Sequence, residues 1–388
     1  MSCIQFLLYI VLFFSYHVQI KAQNTAVTKA DSLYHTGDYA SAISAYEKIA
    51  SKTKHIRLQI ARAHKAKGTY TDALKYYKQV LTLGDVELST KIAYAKLLTN
   101  TGKYETADSL YTALATKYPD NPDFQYRLGI VKKKKRDTLA ISFFKEAFRL
   151  DNTHQKSCFE VAKYHLKKRD YDIVWNTANL GLHSYPENVE LLSVLGQSFL
   201  LQENYYAALP YFEKLLDLNQ KNEFVHTKLA LCYSKTHAHK KAILHFHEVL
   251  KHYNKSHSLY SSLAHQYQWL KKYDEALKYY HMALKLKDLP IEEDLYSIAM
   301  VYRFQENWEQ AIKYIKRALK ENPNFSRGQY QLAMLADSYY KDPNIKLKYY
   351  NTYLKKFESD QELAFFTSRI KKRVLQLEKE ISLNTKNN

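Results

Sequence analysis

Small residues recur along this chain at a nearly fixed interval, and the apolar residues around them follow helical spacing. Ala or Gly, usually beside Leu, Ile or Val, stands at Ala30, Ala61, Ala95, Gly129, Ala162, Gly196, Ala230, Ala264, Ala299 and Ala333, at intervals of 31 to 35 residues. A second small residue follows twelve positions later at Ala42, Ala73, Ala107, Ala208, Ala242, Ala276 and Ala311, with Ala140 one residue early. Four positions on comes an aromatic: Tyr46, Tyr77, Tyr111, Phe144, Phe212, Phe246 and Tyr280. Leu192, Leu195, Gly196 and Phe199 mark the apolar face of a first helix; Ala208, Phe212 and Leu215 mark that of a second. Each period therefore predicts a helical hairpin whose small residues let the two backbones approach. One hairpin cannot bury its own apolar face, so neighbours must stack.

Between the two predicted helices lie Gly37-Asp38-Tyr39, Gly68-Thr69-Tyr70, Gly102-Lys103-Tyr104, Arg169-Asp170-Tyr171 and Asn307-Trp308. Glycine suits the left-handed residue of a tight turn, so the three units that carry it are expected to turn with least strain. The pairs Leu128-Gly129 and Leu195-Gly196, the spaced Ala and aromatic positions and the unit-ending Pro119, Pro186 and Pro323 together resemble the tetratricopeptide repeat family. The resemblance covers residues 24–356. It implies an all-α fold, a right-handed α-solenoid of about ten helix-turn-helix repeats that binds other proteins. Two departures stand out: the fourth unit is one residue short around Lys135-Arg136-Asp137, and the tenth has Ile345 in place of Ala. Residues 360–383 place Leu363, Phe366, Ile370, Val374, Leu377 and Ile381 at helical spacing, which predicts a C-terminal capping helix.

Composition adds location and charge. Residues 4 to 20 form an uncharged apolar stretch ending near Lys21-Ala22-Gln23, which reads as a signal peptide over 1–23 and an exported, periplasmic or cell-envelope protein. An uncleaved anchor is the other reading of that stretch; otherwise membrane contact is expected to be peripheral only. The 58 Lys and Arg against 39 Asp and Glu leave a net charge of +19, which favours anionic partners or solubility. Export argues against nucleic acid as the partner. Cys158 and Cys232 fall two units apart and are expected to be free and buried.

No phosphate loop, zinc-type cysteine pair or nucleophile elbow is present, so no enzyme, cofactor or metal is expected. The histidines His237, His239, His245, His247, His252 and His257 are the one candidate metal cluster, with His245, Glu248 and His252 on one helical face. Without a ligating Cys they read better as ordinary surface residues. The family's first helices line a concave groove. Transferring that register places Arg62, Lys65, Lys96, Lys133, Lys134, Lys156, Lys163 and Lys167 there as a basic stripe. In later units it places His265, Trp269, Tyr296, Met300, Phe304, Tyr330 and Met334 there as an aromatic groove suited to peptides. The competing reading is a solvated lysine face and aromatics packed on neighbouring units. The family's chaperone-tail clamp is not expected, because Val27, Leu58, Ile92, Tyr126 and Phe159 occupy its lysine position. Two functions result: an envelope scaffold gripping partner segments in the groove, or a receptor for polysaccharide, lipid headgroup or acidic protein on the basic stripe.

Overall fold

The computed structural model describes residues 25–253, 255–286 and 290–386; the expected signal segment at 1–23 lies outside them. Every regular element among the described residues is helical. The chain divides into two compact units, Met1–Leu191 and Leu192–Asn388.

The first unit contains helix α1 at residues 25–35 with α2 (Tyr39–Glu47), then α3 (Lys54–Lys67) with α4 (Tyr70–Thr82) and α5 (Leu88–Asn100) with α6 (Tyr104–Lys117). It continues through α7 (Pro122–Lys134) with α8 (Ala140–Leu150) and α9 (Gln155–Lys168) with α10 (Tyr171–Ser184). Helix α11 (Val189–Leu201) carries the division between the units and is followed by α12 (Tyr205–Asp217). The second unit then holds α13 (Glu223–Lys235) with α14 (His239–His252), α15 (His257–Trp269) with α16 (Tyr273–Lys285), and α17 (Glu292–Phe304) with α18 (Trp308–Glu321). The last pair, α19 (Ser326–Tyr339) with α20 (Pro343–Phe357), leads through a 3₁₀ turn at Gln361–Leu363 into α21 (Ala364–Lys386). Inside each unit the second helix of a hairpin also packs on the first helix of the next.

The repeating residues do what their spacing predicts. The second-helix Ala residues and the aromatics four positions on are buried throughout. Gly129 and Gly196 are glycines for lack of room: a Cβ would stand 2.6 Å from the Phe144 ring and 2.8 Å from the Phe212 ring. Some helix starts are capped by short polar side chains, as where Asn204, Asn222 and Asn307 accept from the backbone N–H three residues on. Three buried phenols donate to carboxylates: Tyr46 to Asp31, Tyr233 to Glu213, and Tyr350 to Asp337. Asp337 also receives Lys346 and, from α21, Arg373 at 2.8 Å, which pins the last helix by charge as well as by buried Ile370, Val374 and Leu377.

The left-handed turn residue is present even where glycine is not. Gly37, Gly68 and Gly102 take φ of 78° to 87°, and Arg136, Arg169, Glu203, His237, Lys271 and Glu306 take φ of 56° to 63°. A side chain in that region costs ~1–2 kcal/mol, part of which glycine would give back as unfolded-chain freedom. Arg169→Gly and Glu306→Gly are therefore expected to stabilise the chain by about 0.5–1 kcal/mol each, read from urea unfolding. Unchanged or lower midpoints would show that these turns carry no strain.

Cys158 and Cys232 are free and buried, and burial pushes the thiol of Cys158 up to about 12 and that of Cys232 up to about 11. They are inert at neutral pH. No described helix is long and apolar enough to cross a membrane.

Candidate functional site

In the second unit, first helices α13, α15 and α17 wall a cavity of about 690 Å³. Its polar lining comes from Ser234, Ser261, Ser262, Ser297, Glu293 and buried Asp294, its apolar lining from Leu231, Phe246 and Tyr280. Trp269 forms one end and also walls a second cavity of about 250 Å³ with His265, Gln268, Lys271, Tyr273 and Phe304. Trp269 and Phe304 are 56% and 54% exposed, too open to be core.

Trp269 is nonetheless held in place. His239 stacks flat on the indole at 5.6 Å and His237 meets it edge-on at 6.2 Å. The indole N–H donates to His265 Nε2 at 3.2 Å. Desolvation, then the charges of His239 and Lys235, keep His265 below the ordinary histidine pKa, which preserves that nitrogen as an acceptor. His239 is itself fixed, its Nδ1 lying 2.8 Å from Oε1 of buried Gln266, whose amide N–H donates to Ser234. Tyr273 lies parallel to Phe304 at 6.3 Å. Two exposed aromatic faces thus border one slot, with at least one set by its neighbours before any ligand arrives.

Deeper in the larger cavity His257 Nε2 lies 2.8 Å from Asp294 Oδ1, and Ser261 Oγ lies 3.1 Å from that oxygen and 3.4 Å from the same ring nitrogen. A nucleophile relay needs the carboxylate and the hydroxyl on opposite nitrogens of the imidazole. Here both face Nε2 and Ser261 donates directly to the carboxylate, so the trio ties α15 to α17 and lacks the relay arrangement.

Of the expected aromatic groove, His265, Trp269 and Phe304 are brought together. Met300 and Tyr330 are corrections: both are buried, Met300 between α17 and α18, Tyr330 against Tyr353 and Phe366. Tyr296 is half-buried beneath the Arg327 guanidinium at 4.4 Å, and Met334 packs on the last hairpin, where it takes a 3.6 Å contact from the Tyr350 hydroxyl. Neither lines the slot. One of the six histidines differs from its surface reading: His245 is buried, with its Nδ1 3.0 Å from that of His226 and its ring stacked on Tyr233.

In the first unit every residue of the expected basic stripe is exposed. Desolvation, then the charges of Arg127, Lys156 and Lys65, outweigh Asp123 and hold the Lys96 ammonium below the ordinary lysine pKa, so positive charge prevails around it even though Arg127 is itself paired with Asp123 at 2.6 Å. Lys133 is a correction, because it is neutralised by Glu160 at 2.6 Å. It still borders a cavity of about 300 Å³ with Lys163 and Lys167, where Phe144 and Tyr164 supply apolar walls. Lys163 lies 5.0 Å from the Phe159 ring centre and Lys156 6.0 Å from that of Tyr126. Arg62 donates to Gln59 and, like Lys134, lines neither cavity. Register transfer missed Arg127, His237 and His239; a basic or aromatic-capable side chain on a first helix or its turn is the signal that would have found them.

Tetratricopeptide repeat models match residues 27–87, 91–121, 189–222 and 292–325. No curated protein matches the chain. Among solved structures, a tetratricopeptide repeat protein from Parabacteroides merdae is 18% identical, with 64% of this chain and 98% of that one covered at a TM-score of 0.40. The yeast protein Tom70 is 15% identical over 94% of this chain and 99% of its own, at 0.38. MamA is 20% identical over 44% and 92%, at 0.40.

Proposed function

From a chain that belongs to the tetratricopeptide repeat family, a family of protein-interaction scaffolds, we propose a non-enzymatic adaptor that grips an extended or helical segment of a partner protein between Trp269 and Phe304. The observation that carries this reading is the clasped Trp269: an exposed indole fixed by three histidines beside a slot of its own. Folding does not require an open aromatic to be held this way, whereas binding gains from an anchor that loses little freedom. The adjoining serines and Asp294 offer hydrogen bonds to a segment's backbone.

The test is capture of partners by the purified chain from its own cells, followed by titration of the partner that mass spectrometry identifies. Trp269→Ala and Phe304→Ala are each expected to weaken that partner about 30-fold, equivalent to ~2 kcal/mol, with little change on raising salt. Affinity untouched by both substitutions would sink the slot as the grip. The second reading, an anionic ligand on the basic stripe, is favoured by the positive charge that prevails around Lys96. It calls for the opposite pattern: loss with Lys96→Glu and Lys156→Glu, and release by moderate salt, which screens exposed charges beyond roughly 8–10 Å.

Export to the cell envelope is part of the same proposal, supported by the apolar stretch at 4–20. Sequencing the N-terminus of the protein from its native cell tests it. A chain starting near Ala22 or Gln23 in the envelope fraction agrees; one starting at Met1 in the cytosol does not.

A further inference from the structure

A third site lies outside both stripes, in the groove between α18, α19 and α20 of the second unit. It is a cavity of about 610 Å³ into which Lys316 and Lys320 reach from α18, and Lys348 and Tyr349 from α20. No acidic residue lines it, unlike the first-unit cavity, where Glu160 neutralises Lys133. Its floor includes Gln329, only 5% exposed, whose side-chain amide makes no hydrogen bond with any described residue. That amide opens onto the cavity, so it takes its hydrogen bonds from whatever fills it. Tyr349 lies within reach of two of these lysines. Burial alone would raise its phenol, yet the Tyr340 hydrogen bond, which raises Tyr340 in turn, the Lys316 hydrogen bond and the charges of Lys316 and Lys348 hold it below the usual value. Surroundings that favour a phenolate favour any oxyanion placed there.

We propose that this cavity binds a tetrahedral, multiply charged oxyanion of the phosphate class, carried on a molecule with an apolar face. Three ammonium groups from two helices suit a doubly charged group better than a lone carboxylate, and lysine binds phosphate as a point charge from any direction. The Gln329 N–H donates to one phosphate oxygen. Leu332 and the exposed side of Ile345 supply the apolar wall. The site shares no lining residue with the slot at Trp269, so the two proposals stand or fall separately.

Calorimetric titration of the full chain with inorganic phosphate and with phenyl phosphate tests this, the first probing the bare anion and the second the anion on an apolar ring. Phenyl phosphate is expected to bind at least tenfold more tightly than inorganic phosphate. Lys316→Met with Lys348→Met should weaken it at least tenfold, and Gln329→Glu, isosteric and repulsive to the anion, should abolish it with the helical circular dichroism unchanged. Lys163→Met in the first unit should leave it unaltered. No binding of either compound at millimolar concentration, or binding indifferent to Gln329→Glu, overturns the site. Equal affinity for the two compounds overturns the apolar wall as part of it.

Discussion

Acidification from pH 7 toward pH 4 is expected to remove about 3 kcal/mol of stability from the second unit through His245 alone. Burial, then the neighbouring His226, lower this histidine from its ordinary 6.5 to about 4 in the folded chain. The unfolded chain therefore takes up its proton first as the pH falls. The contribution is complete above 6.5, declines through the interval between 6.5 and 4, and is exhausted below it. Glu213 and Glu248 face the ring and favour its charged form, while His226 and Lys241 oppose it, and desolvation outweighs them all. The 3.0 Å contact between the two Nδ1 atoms needs one donor and one acceptor, so a second proton breaks it. His226 is itself depressed by burial and adds to the loss in the same direction. Urea midpoints measured at half-unit steps of pH should fall across this window and flatten in His245→Gln. A wild-type profile already flat between 6.5 and 4.5 would refute the assignment.

Phe212→Ala is expected to cost ~3–5 kcal/mol, because it empties a fully buried site at the heart of a hairpin. The ring fills the space that Gly196 leaves open on the facing helix, and Gly196→Ala should itself destabilise by forcing a methyl to 2.8 Å from that ring. The two losses should not add. With the ring gone, the new methyl finds space, so the double variant should be more stable than the sum of the singles predicts by at least ~1 kcal/mol. Additive losses in a thermodynamic cycle would mean that the glycine and the ring are not partners.

The hairpins, their turns and the identity of each buried Ala and aromatic were legible in the sequence because they depend on one period that every unit repeats. The site was legible only in part. Met300 was placed on the surface by register, but α17 buries Ile298, Ala299, Met300 and Val301 in succession, since a first helix contacts both its own partner and the adjoining hairpin. A single apolar stripe does not describe such a helix. The clasp on Trp269 was hidden for another reason: His237 in the preceding hairpin's turn and His239 at the start of α14 lie about one period away, and comparing equivalent positions never pairs neighbours of different register. Gln329 was invisible likewise, because nothing in a lone glutamine announces that three helices will enclose it.

The turn residues at positive φ have a practical meaning beyond their strain. Arg136, Arg169, Glu203, His237, Lys271 and Glu306 are all exposed, and each follows a helix that ends before it. Bulky charged groups are already accepted at the tips of these hairpins, where glycine would be easier on the backbone. Those tips are therefore attachment points: a dye, a crosslinker or a short inserted loop placed at Arg169 or Glu306 would sit outside every buried contact, and a pair within one unit, such as Arg136 and Arg169, would report distances along that unit without disturbing it.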